Sequence, residues 1–238
     1  MASAILRIIE NQIRTWDSLA QTRRTEGQGL PGTPLRIRPC ITIARMIGSG
    51  GWEIAQLLKP RLGWEVFDRE IVEVIIRQGR FREAITSSLD EHDRSSVELW
   101  VDGLLHGLIV DKGDYHRALV KVLTSISMHG HAILIGRGGN FILDRDRTLN
   151  VRFVAPRSFR VEMISRSQAM PLSRAAALVK QTDHERAAFI THNFHARIDD
   201  PTAYDLTINM AGFTQEAAAD AIVQALRLKF GGRDDVEL

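Results

Sequence analysis

Glycines cluster at Gly48, Gly50 and Gly51, after the β-branched run Ile41-Thr42-Ile43 and before apolar residues at helical spacing, Ile54, Ala55, Leu57, Leu58 and Leu62. Strand, glycine turn and helix start in that order bring unpaired backbone N–H groups and the positive end of a helix dipole onto one point, where a phosphate fits. A turn of this kind can also serve tight packing alone, and the sequence leaves both readings open. The common phosphate loop carries Lys where Gly51 stands and Ser or Thr where Trp52 stands. The phosphate cation and the magnesium hydroxyl are thus absent from their usual places, and Arg45, just before the loop, is the substitute cation.

Arg45, Arg69 and Arg137 each fall at or just past a predicted strand. The planar guanidinium fork suits phosphate oxygens, so a site handling more than one phosphate would use several of them. The competing reading is a set of surface arginines with no common target. Trp52 either packs over the loop or stacks on a base. His129, His131, His192 and His195 have metal-compatible spacings but lack the carboxylates or cysteines that complete a zinc site. Glu185, Asp199 and Asp200 read as exposed acids before they read as magnesium ligands, and no metal ligand is assigned.

The elements that must position these groups are bounded by composition. The 238 residues can bury one α/β core with appendages, and 31 Lys and Arg against 29 Asp and Glu leave a net charge of +2. That balance gives no case for nucleic-acid or membrane binding, so the expected partner is a small molecule or another protein. The single cysteine, Cys40, excludes an intrachain disulfide and fits a reducing compartment. The first residues lack the pattern of a signal peptide and no run has the length of a membrane span, so a cytoplasmic protein is expected.

Ile5, Ile8, Ile9, Ile13, Trp16 and Leu19 place an amphipathic helix over 1–22, either docked on the core or paired with a second copy. Gly and Pro mark 23–39 as a linker. Strands are predicted at 41–43, 64–67, 132–135, 150–155 and 205–209. Helices are predicted after the glycine turn, from about Glu70, and over 115–129, 159–166, 173–195 and 214–229. The stretch 80–113 reads as a mobile insertion of short helices marked by Leu99, Trp100, Leu104 and Leu105, and 231–238 as a tail. Alternating strands and helices predict a three-layer α/β fold, a parallel sheet covered on both faces with ligands at its C-terminal edge.

Taken in order, the 41–55 segment, Phe67-Asp68-Arg69-Glu70, the 135–143 segment beginning Ile135-Gly136-Arg137-Gly138, the 159–166 helix, Asp183-His184-Glu185-Arg186 and the 200–209 segment resemble the cytidylate-kinase-like family of P-loop nucleoside monophosphate kinases. The resemblance covers Ile41 to about Leu228 and rests on the order of the motifs, within a domain spanning 40–230. It implies transfer of a phosphoryl group from ATP, with Mg2+, to CMP or dCMP. It further implies that Gly48, Ser49, Gly50, Gly51 and Trp52 lie on the donor phosphates and that Asp68, Arg69, Arg137, Asn140, Asp183 and Arg186 face the acceptor. Arg45, Arg137, Arg160 and Arg166 would form the electrostatic clamp, and 167–182 the ATP lid.

The chain departs from true cytidylate kinases in lacking the loop Lys and in reading Gly136-Arg137-Gly138 where they have Gly-Arg-Asp. Their acceptor-phosphate arginine would fall near Val74, with Arg69 or Arg77 as conjectural replacements. A catalytically silent nucleotide-binding regulator, using the first helix to engage a partner, is the alternative to a kinase.

Overall fold

The computed structural model describes residues 2–25, 37–107 and 113–238. Five strands pair in parallel in the order β2-β3-β1-β4-β5: β1 (Cys40–Arg45), β2 (Glu65–Phe67), β3 (Ala132–Ile135), β4 (Thr148–Val154) and β5 (Leu206–Asn209). The period-2 alternation of a strand sorts their side chains to two layers. Ile41, Ile43, Ile133, Ile135, Leu149, Val151 and Phe153 pack with α2 (Gly51–Leu62) and α10 (Gln215–Phe230). Cys40, Ala132 and Leu134 pack with α3 (Arg69–Arg77) and α6 (Asp114–His129) on the opposite face. On that face Thr42 and Asn150 lie opposite each other in the β1–β4 register, with Thr42 Oγ1 donating to Asn150 Oδ1 at 2.6 Å while Asn150 Nδ2 is buried without a hydrogen-bond partner. The predicted three-layer α/β sandwich is the observed one.

The leading helix, α1 (Ala2–Thr25), lays its apolar stripe on its own chain. Ile9, Ile13 and Trp16 are buried, while Leu19, read as part of the same stripe, is 39% exposed. Trp16 stacks on His129 with ring centroids 4.2 Å apart and on Phe67 at 5.8 Å. His129 Nε2 in turn lies 3.0 Å from both Ser88 Oγ and the Ile85 carbonyl, so it is a packing residue.

The 80–113 stretch differs from its expected form. It holds α4 (Gly79–Ser87) and a 17-residue helix, α5 (Glu91–Gly107), started by Asp90, whose Oδ1 accepts from the Asp93 amide at 2.7 Å. The buried face of α5 is Val97, Val101 and Leu104, while Leu99 points outward at 75% exposure. Of the residues that marked this segment in the sequence, Leu99 and Trp100 are exposed, while Leu104 belongs with Val97 and Val101 to a regular i, i+4, i+7 stripe. Residues 108–112 of that stretch, and 26–36 of the expected linker, lie outside the described residues.

The final segment 231–238 is tied to the opening of the domain: Ile37 bridges Val236, Arg38 pairs with Glu237 at 2.9 Å, and His131 Nε2 sits 3.0 Å from the Glu237 carbonyl. No helix among the described residues is long and apolar enough to cross a membrane.

Candidate active site

The loop after β1 is built by backbone conformations that only glycine adopts without strain: Gly48 and Gly50 both sit at φ 77. Gly50 is the N-cap of α2 and supplies no side-chain cap, so the first amides of the helix, from Gly51, Trp52 and Glu53, are left for solvent or an anion. Ser49 is turned inward, 1% exposed, its hydroxyl donating to the Met46 carbonyl at 2.8 Å. It shapes the loop, its own amide also donating to the Met46 carbonyl at 3.3 Å. Trp52 is 47% exposed on the first turn of α2.

Arg45 closes β1 and lies along the loop. A β-carbon at Gly51 would meet Arg45 Cβ and Cγ at 3.0 Å, and one at Gly136 would collide with Arg45 Nη1. The stem therefore packs where a loop Lys would begin, and the guanidinium rests against the turn after β3. Burial holds its pKa down, at about 10, with Arg186, Arg137 and Arg69 adding repulsion and Asp68 opposing them. Those four arginines thus converge on one place at the C-terminal edge of the sheet, Arg186 joining the three whose sequence positions fall at strand ends.

Arg137 stands in the turn after β3 at φ 55, an uncommon backbone conformation for a residue with a side chain. Its guanidinium pairs with Glu73 of α3 and lies 5.4 Å from the Phe189 ring centroid, and its buried Nε has no hydrogen-bond partner. Tyr115, opening α6, donates its hydroxyl to the same Glu73 oxygen at 2.6 Å. Burial first, then that bond to a carboxylate, pushes the Tyr115 phenol up to about 12. Glu73, Tyr115 and Phe189 were not anticipated from the sequence. Glu73 does lie one helical turn beyond Arg69, which is the one signal that pointed to it.

Helix α9 (Leu172–Phe194) brings in Arg186, whose Nη1 donates to the Arg45 carbonyl at 2.8 Å. Burial lowers its pKa, partly offset by Asp183, with Arg69 and Arg160 adding repulsion. Arg160 and Asp183, expected to hold ligand, are instead bound to each other at 2.7 Å. Arg160, on α8 (Arg157–Ser167), is 4% exposed and also donates to the carbonyls of Ala155 and Ile47. Its Nε and Nη1 are tied to the backbone that frames the glycine loop. Arg160 is thus held as a strut beside the loop.

Arg166 is on the outer side of α8, paired with Glu162 at 3.5 Å and 78% exposed. On the short helix α7 (Gly139–Ile142), Asn140 donates to the Ala203 carbonyl at 3.4 Å and so braces the chain entering β5. Asp68 caps α3, accepting from the Ile71 amide at 2.9 Å. Arg69 follows it and is exposed. The expected lid, 167–182, consists of the turn joining α8 to α9 and the first half of α9, pinned by Ser165 Oγ donating to Met170 O at 2.6 Å and by Ile164, Ala175 and Val179.

A sequence profile of the cytidylate kinase-like family matches residues 40–212. No curated protein matches the sequence. Among solved structures, an uncharacterized protein from Eubacterium ventriosum ATCC 27560 is similar with a TM-score of 0.63 at 15% identity, covering 80% of this chain and 99% of that one. A gluconokinase from Sinorhizobium meliloti 1021 is similar with a TM-score of 0.41 at 14% identity, over 82% and 95% of the two chains. A shikimate kinase from Bacteroides thetaiotaomicron gives a TM-score of 0.42 at 13% identity, over 80% and 97%. At these identities the first of them speaks to fold alone.

Proposed function

The chain belongs to the cytidylate kinase-like family, and on that premise we propose that it is an ATP-dependent phosphotransferase moving the γ-phosphoryl group to a nucleoside monophosphate, with CMP or dCMP the first candidates. The observation that carries this reading is the seating of Arg45, with its stem against Gly51 of the glycine loop and its guanidinium against Gly136 of the turn after β3. The amides opening α2 would hold the donor phosphates. Arg45, Arg69, Arg137 and Arg186 would neutralise the charge spread over the transferring phosphoryl as the acceptor oxygen bonds to phosphorus and the bond to ADP breaks.

Magnesium on the nucleotide supplies further charge neutralisation. The residues here do not fit a metal held by the protein. Ser49 is turned to the Met46 carbonyl, Trp52 stands where a hydroxyl would be, and Glu73 and Asp183 are each bound to an arginine.

The test is ADP production from ATP and magnesium by the purified chain across a panel of nucleoside monophosphates, with Arg45→Ala and Arg137→Ala alongside. Turnover with one acceptor, lost in both variants, supports the reading. ATP binding without turnover on any acceptor overturns it in favour of a nucleotide-binding regulator, which the glycines at 51 and 138 favour. The burial of Ile9, Ile13 and Trp16 against the chain's own core takes support from the idea that α1 offers that face to a partner.

A further inference from the structure

We infer that this site grips a polyphosphate as the free anion, through fixed guanidinium groups, with no metal ion bridging ligand and protein. The inference rests on the phosphotransferase reading for the location of the site and goes beyond it in naming the form of ligand the protein recognises.

A divalent cation bridging ligand and protein would need oxygen ligands from the chain. Hard cations take hydroxyl and carboxylate ligands. At the loop the hydroxyl of Ser49 is inward and committed to Met46 O at 2.8 Å, and the next usual position is the ring of Trp52. The turn after β3 has Gly138 after Arg137, with no acidic side chain. Of the carboxylates that reach the cluster, Asp183 is bound to Arg160, Glu73 to Arg137 and Tyr115, and Asp68 caps α3.

Positive charge, by contrast, is in excess. Arg45, Arg69, Arg137, Arg160 and Arg186 gather around the carboxylates of Asp68, Glu73 and Asp183. Arg137 Nε is buried without a partner, and Arg45 and Arg186 are held close by the hydrogen bond from Arg186 to the Arg45 carbonyl. Like charges pressed together in a partly desolvated edge are relieved by an anion that touches several of them at once, as a chain of phosphates does. Magnesium already on that anion removes two negative charges from it and gives the protein nothing to bind in return, so the free anion is held at least as tightly as the complex.

The test is calorimetric titration of inorganic tripolyphosphate into the full chain at low salt, once with EDTA and once with magnesium in excess. Expected is binding in EDTA at least as tight as in magnesium, weakened about tenfold or more in Arg45→Gln and in Arg69→Gln. Arg69 is exposed, so its variant folds even where loss of Arg45 disturbs the loop. Binding that needs magnesium, or is about tenfold tighter with it, overturns the inference and leaves the phosphotransferase reading standing. Absence of binding in both conditions with acceptor-dependent ADP production also overturns the inference alone. Absence of both binding and turnover overturns both.

Discussion

The β-carbon that Gly51 lacks would lie 3.0 Å from both Cβ and Cγ of Arg45. The two residues are therefore a matched pair: the arginine stem occupies the volume that any side chain at 51 would enter. Gly51→Ala gains helix propensity but must displace atoms close to the β1 backbone, so it is expected to destabilise the chain by about 1 kcal/mol or more. In an Arg45→Ala background, where Cγ is gone, part of that cost disappears, giving a coupling of about 0.5 kcal/mol or more in a double-mutant cycle read by urea denaturation. Additive effects would show that the two do not compete for space.

Arg160 and Asp183 form the most buried ion pair near the loop, and the arginine also ties down the Ile47 and Ala155 carbonyls. Removing one partner strands the other charge. Arg160→Met or Asp183→Asn is expected to cost about 3–5 kcal/mol in chemical denaturation, whereas Arg166→Ala, on the outer side of the same helix, should stay within about 0.5 kcal/mol.

Trp16 anchors α1 by stacking on His129 and Phe67. Trp16→Ala opens a cavity at that junction and is expected to destabilise by about 3–5 kcal/mol, measured by the urea midpoint. A change below about 1 kcal/mol would mean that α1 adds little to the core.

Tyr115 and Tyr204 are the two tyrosines of the chain, and burial raises both phenols. Absorbance near the tyrosinate band should show Tyr115 still protonated at pH 10, with ionisation near 12. A phenol raised in the folded chain keeps its proton while the unfolded chain releases it. The contribution to stability is therefore intact below pH 10 and is lost as pH climbs from there toward about 12. Glu73→Gln removes the carboxylate that Tyr115 donates to and should lower its midpoint; an unchanged midpoint would assign the whole shift to burial.

The sheet was legible because runs such as Ile41-Thr42-Ile43 and Ala132-Ile133-Leu134-Ile135 carry β-branched or apolar residues between turn signals, and burial on both faces demands that pattern. Arg45, Arg69 and Arg137 were legible as a group because topology alone sends strand ends to one edge. What local pattern could not supply were contacts between distant residues. Glu73 meets Tyr115 across 42 positions, and the pair of Arg160 with Asp183 bridges two helices. In each case one partner's role is changed by a neighbour that sequence order does not place beside it. The Arg-rich helix read as a clamp because its arginines look alike in sequence, yet Arg160 faces inward and Arg166 faces solvent.

The bridge between Ile37 and Val236, with Arg38 holding Glu237, makes the α/β domain a closed ring. Its two ends are already side by side, so a short peptide could join them and the chain could be cut at an exposed turn elsewhere without parting any strand from its neighbour. The ring also excludes α1, which reaches the domain from before the clasp. The order of the sheet and the docking of that helix are therefore separable properties, one belonging to a circle and the other to a strand of chain laid against it.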